Sequence, residues 1–156
     1  TYKEYLFTFK NIHPASDNGA FRFQASINSG SAYGVAITST NIRHYHNEGG
    51  SDQALGLSTN FDLANSTNPQ VFAEPMGNEN DESGSGELWI YNPADTTFQK
   101  NFIAQWNHNS YAGKNENYFT QGFAQTSSAI TGVRFEMEAS TNIQSGIFKL
   151  YGIKDS

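Results

Sequence analysis

Phe21-Arg22-Phe23-Gln24-Ala25-Ser26-Ile27 alternates apolar and polar residues without a break. Successive side chains of an extended chain point to opposite faces, so Phe21, Phe23, Ala25 and Ile27 share one side and Arg22, Gln24 and Ser26 the other. This is the pattern of a half-buried β-strand, and it recurs along the chain. Tyr5, Phe7 and Phe9 alternate with Leu6 and Thr8, so the first strand is expected to be covered on both faces. Leu88 and Ile90 alternate with Trp89. Phe98, Phe102, Ala104 and Trp106 fall on one face of a further strand, with Ile103 on the other. The same period predicts strands over 118–125, 130–137 and 147–153, and weaker ones over 34–38, 42–46 and 70–73.

Turn-forming residues separate these stretches, among them 14–19, Asn28-Ser29-Gly30, Gly49-Gly50, Asn92-Pro93 and Gln144-Ser145-Gly146. Many short strands punctuated in this way predict an all-β fold, an antiparallel β-sandwich of jelly-roll type with little or no helix. Residues 52–57 offer one helical turn at most. Residues 48–68 form the longest irregular stretch, too long for an ordinary connection and therefore a candidate functional loop. Neither a repeat nor a linker interrupts the pattern, so residues 1–156 read as a single sandwich domain. The chain opens on Thr1 and a strand starts almost at once, so the domain is expected to be the C-terminal or major part of a longer chain.

Composition agrees with this reading. Asn, Ser, Thr and Gly supply 59 of the 156 residues, the stock of turns and strand edges, whereas Leu and Lys number only six each. Twelve Phe and eight Tyr suit pleated, half-buried surfaces. A net charge of −6 with no Lys/Arg cluster disfavours a nucleic-acid partner. No apolar run approaches the roughly 18 residues of a membrane helix, so membrane insertion is not expected. With no cysteine, disulfides and thiolate metal sites are excluded.

Few residues select a chemistry. His44 and His46 fall on one strand face, a spacing that suits a metal, but no third ligand accompanies them. Glu79, Asp81 and Glu82 gather on an amide-rich loop, Gly77 to Gly86, of the oxygen-rich kind that suits Ca²⁺; an acidic, solvated turn is the plainer reading. No nucleophile elbow and no selected carboxylate pair occurs, so an enzyme is not expected. Trp89, Tyr91, Tyr111 and Tyr118 are candidate glycan ligands, because an aromatic ring packs on the apolar face of a sugar while neighbouring amides bond its hydroxyls. Cross-strand pairing and core filling explain the same rings as well.

Five stretches resemble a family of virion structural proteins of marine bacteriophages, cyanophages included. They are 2–10, Phe21-Arg22-Phe23-Gln24, Tyr45-His46-Asn47-Glu48, 77–82 and the ending 146–154, within which Leu150-Tyr151-Gly152-Ile153 is the most distinctive. The resemblance implies a non-catalytic domain on the particle exterior, either a capsid decoration or knob or a tail-fibre appendage. It also implies a homo-oligomer, with a trimer favoured by analogy, contacts with other capsid or tail proteins, and attachment to host surface glycans. A carbohydrate-binding β-sandwich module is the alternative. In the ending, Phe148 and Leu150 face one side and Ile147, Tyr151 and Ile153 the other. A strand apolar on both faces is expected to lie at the centre of a sheet or beneath a neighbouring subunit, with Gly152 allowing a close approach.

Overall fold

The computed structural model describes residues 2–138 and 141–154. Ten antiparallel strands and no helix occur among them: β1 (Glu4–Pro14), β2 (Gly19–Ser26), β3 (Ile37–Asn47), β4 (Gln53–Leu57), β5 (Gln70–Met76), β6 (Gly84–Tyr91), β7 (Lys100–Ser110), β8 (Lys114–Ala124), β9 (Gly132–Met137) and β10 (Ile143–Ile153). Pairing runs β10-β1-β6-β7-β8-β3-β4, with register shifts only in the second half of β1, and, separately, β9-β2-β5. Among the described residues only Met76 opposite Ser110 joins the two series.

The two series face each other across an aromatic core. Phe21 of β2 stacks on Trp106 of β7 at 4.7 Å, and Phe9 of β1 meets Phe135 of β9 at 4.8 Å. Phe23 packs against both Phe72 and Phe102. Phe23 and Phe72 sit on paired strands of one layer, but the Phe21–Trp106, Phe9–Phe135 and Phe23–Phe102 contacts join strands that share no ladder, so they bridge two layers: a wide seven-stranded sheet and a three-stranded cover. The all-β sandwich expected from the sequence is therefore present. The finer jelly-roll winding is not fixed by this pairing. Burying each such Phe contributes about 2–3 kcal/mol, which makes the aromatic layer the main source of cohesion.

Three expectations are corrected. Residues 52–57 form no helical turn; Gln53–Leu57 is strand β4, so the irregular stretch shrinks to 58–69. The turn around Gly49 and Gly50 reverses the chain so that this segment pairs with β3, and pairing overrides its weak helical spacing. Phe98 lies before its strand, which begins at Lys100, and is exposed rather than part of an inward row. Finally, of the two places expected for the last strand the centre of the sheet is ruled out: among the described residues β10 pairs with β1 alone and forms the edge of the wide sheet. Gly152 does provide a close approach, since a Cβ there would sit 2.1 Å from the Tyr2 ring.

Candidate functional site

Directly opposed residues of antiparallel neighbours share a face, so the registers map the outer surface of the wide sheet. One row crosses Lys149, Thr8, Glu87, Gln105, Phe119, Ile42 and Leu57. The next runs Ser85, Asn107, Asn117, His44 and Leu55, and the one on the other side Tyr151, Leu6, Trp89, Ile103, Gln121 and Thr40. The strict alternation of β7 builds this surface: Lys100, Phe102, Ala104, Trp106, His108 and Ser110 are buried, while Gln105, Asn107 and Asn109 stand outside.

Between these rows lies an open groove of about 660 Å³. Its walls are His44, Ser85, Glu87, Gln105, Asn107, Asn117 and Phe119; the inward-facing Phe9, Gly86, Trp106 and Tyr118 form its floor. Several walls are fixed in place. Asn107 Nδ2 donates to Asn117 Oδ1 at 2.9 Å and to Asn115 Oδ1 at 2.5 Å, which ties β7 to β8 by an amide ladder. Trp89 Nε1 donates to Glu87 Oε1 at 3.2 Å. The ladder leads on toward the β7–β8 turn, where a second depression of about 430 Å³ is lined by His46, Glu48, Asp81, Glu82, Asn109, Lys114 and Asn115, among others.

The sequence candidates separate. Trp89 and Tyr91 lie together on the outer face with their rings stacked 6.5 Å apart, and Trp89 touches the groove through Glu87. Tyr111 projects from the β7–β8 turn, away from them. Tyr118 is only 2% exposed; its hydroxyl donates to the Glu74 carbonyl and its ring stacks on His108. That ring belongs to the core, and a sugar cannot reach it. On the acidic loop, Glu82 Oε2 accepts from the Glu79 backbone N–H at 3.0 Å, so this carboxylate folds back on its own turn. Among the described residues no three His, Cys, Asp or Glu side chains converge as a metal site, neither on that loop nor at His44 and His46. His46 bonds the adjacent Asn47 carbonyl through Nδ1. Gln105, Asn107, Asn117 and Phe119 escaped the sequence reading. Polar residues on an outward face look like ordinary solvated positions until three-dimensional neighbours turn them into a wall.

Beneath the groove floor lies a polar patch of the interior. Glu116, 1% exposed, accepts from both Nε and Nη2 of Arg43 at 2.7 Å. Asn41 bonds Thr120 at 2.7 Å, and Ser39 bonds Gln70 at 2.5 Å. Residues 58–69 cover this end, with Asp62 accepting from the Asn41 N–H and Phe61 packing on Tyr118. His108 is buried with neither ring nitrogen hydrogen-bonded. Loss of water drives its pKa down to about 3, and the charge of Arg43 pushes the same way.

No protein-family model, curated protein or solved structure matches this chain.

Proposed function

We propose that this chain is a non-enzymatic surface module of a bacteriophage particle, a capsid decoration, knob or tail-fibre appendage that works by contact. The observation that carries the contact reading is β10. It is an edge strand of eleven residues that exposes Ile147, Phe148, Leu150, Tyr151 and Ile153. Natural edge strands are ordinarily short, charged or covered, because an open row of N–H and C=O groups templates further pairing. Here Lys149 is the one charge in the strand. Covering this edge by further copies of the chain, as in a trimer, removes both the apolar exposure and the open ladder. The particle assignment is supported by the phage-like stretches, which include this same strand. Non-catalytic use is supported by the state of the buried titratable groups: Glu116 is committed to Arg43, Lys100 to the carbonyls of Phe98, Thr126 and Ser127, and His108 is shut away from solvent.

The test is direct. Purified particles carrying this chain are expected to contain it in many copies, with its density on the exterior in an electron cryo-microscopy reconstruction. Absence from purified particles would overturn the particle assignment. A carbohydrate-binding module is the second reading, favoured by the groove with its amides, carboxylate and ring.

A further inference from the structure

We propose that the outer-face groove over β6, β7, β8 and β3 binds a neutral oligosaccharide. The inference rests on the contact reading above and deepens it by assigning a site and a ligand class.

Sugar hydroxyls both donate and accept, and their rings carry apolar C–H faces. A site for them needs mixed amides, a fixed acceptor and an aromatic surface. The groove brings these together from four strands. Gln105, Asn107 and Asn117 supply amides, Glu87 a carboxylate, and Phe119 a ring beside Gln105 in the same row. Much of this is ordered before any ligand arrives. The Trp89 N–H holds the Glu87 carboxylate, and the Asn107 amide is locked between Asn115 and Asn117. Pre-set polar groups lose little entropy on binding, which suits a shallow site that buries little area.

Charge selects among glycans. Glu87 is the one formal charge on the walls, and no Lys or Arg lines the groove among the described residues. The second depression adds Glu48, Asp81 and Glu82, and its single cation, Lys114, is already bound to Asp52 at 2.6 Å. Sialylated, sulfated or phosphorylated glycans would place anions against this acidic strip, where the one lysine of the lining, Lys114, is already paired with Asp52. A neutral chain meets no such penalty. From Gln105 to Asn109 the strand rises about 13 Å, room for more than one sugar ring.

The purified chain is applied to a microarray of neutral linear oligosaccharides of hexoses, pentoses and N-acetylhexosamines, with sialylated and sulfated glycans alongside. The strongest neutral ligand is then titrated calorimetrically into wild type, Gln105→Ala, Phe119→Ala, Glu87→Gln and Tyr111→Ala. Gln105 is exposed, so Gln105→Ala is expected to melt as wild type does while weakening binding at least fivefold; Phe119→Ala and Glu87→Gln do the same or more. Tyr111→Ala, in the β7–β8 turn and part of the lining of neither depression, leaves affinity unchanged. No neutral ligand, a preference for anionic glycans, or affinity indifferent to Gln105→Ala and Glu87→Gln overturns the proposal. Sedimentation of the same samples reads self-association through β10 independently, so a failed sugar site and a failed contact module give different results.

Discussion

At the scale of single residues, the interior is unusual for its ionic content near the groove floor. Removing one partner of a buried pair leaves the other charge uncompensated. The side chain of Arg43 keeps about a third of its surface in solvent (32%), so part of its charge is hydrated once Glu116 is gone. Glu116→Gln is therefore expected to cost about 2–3 kcal/mol, below the upper range for fully buried pairs, and to lower the midpoint of urea unfolding without changing its slope. An unchanged midpoint would mean that the pair adds nothing. His108 gives the fold a pH dependence. Its folded pKa, about 3, lies below the ordinary 6.5 because burial penalises the imidazolium. Between these values the unfolded chain binds a proton that the folded chain refuses, so the stability due to neutral His108 is complete above pH 6.5 and drains away as pH falls. From pH 7 to pH 4.5 this loss is about 2–3 kcal/mol. Wild type should show that decline in chemical denaturation, and His108→Leu should be flatter by this amount over the same interval.

At the scale of elements, β6 illustrates how glycine fixes packing. A Cβ on Gly86 would lie 2.3 Å from the Gln105 carbonyl oxygen and 2.6 Å from the Trp106 indole. Neither the backbone nor the packed indole can yield cheaply, so Gly86→Ala is expected to destabilise by about 2 kcal/mol or more, with a drop in thermal midpoint. Gly34→Ala, where a Cβ meets nothing within 4 Å, should be close to neutral and serves as its control. The strands themselves were largely legible, because period-two alternation is a direct consequence of pleating. Phe21, Phe23 and Ala25 are buried as their spacing requires, but Gln24 and Ser26 on the other face are buried too, and Ile27 lies beyond the end of β2 and is exposed. The errors fall where alternation is not the deciding force. Gln53–Leu57 is exposed along its whole length and carries no inward pattern to read. Tyr118 sits among Asn and Gln residues, yet it faces inward because its register partners Trp106 and Arg43 do. Of the groove walls only His44 was singled out from the sequence, as a metal candidate, with Trp89 reaching the groove through Glu87; the remaining walls come from strands distant in sequence that meet through the β6-β7-β8-β3 order.

At the scale of the whole molecule, two sheets of unequal width leave surfaces that a sandwich of matched sheets would hide. The three-stranded cover stops short of the edge of the wide sheet. Phe148 reaches Phe9, Phe21 and Phe135 yet remains 42% exposed. Between β1, β10 and β9 an apolar cleft of about 280 Å³ opens, lined by residues that include Tyr5, Phe7, Ile90, Ile130, Val133 and Leu150. Exposed edge and open cleft are continuous through Leu150, so a single neighbouring copy can cover both. The outer groove lies on the opposite surface of the wide sheet and stays accessible when that inner cleft is closed.

If β10 and its cleft form the proposed assembly surface, sedimentation of the purified chain shows it. A particle at a small multiple of the 17.2 kDa chain mass is expected, a trimer most simply, falling to monomer in a Leu150→Lys variant that melts as a folded domain. Wild-type chain that sediments as a monomer at all concentrations up to the millimolar range would rule out β10 as an assembly surface.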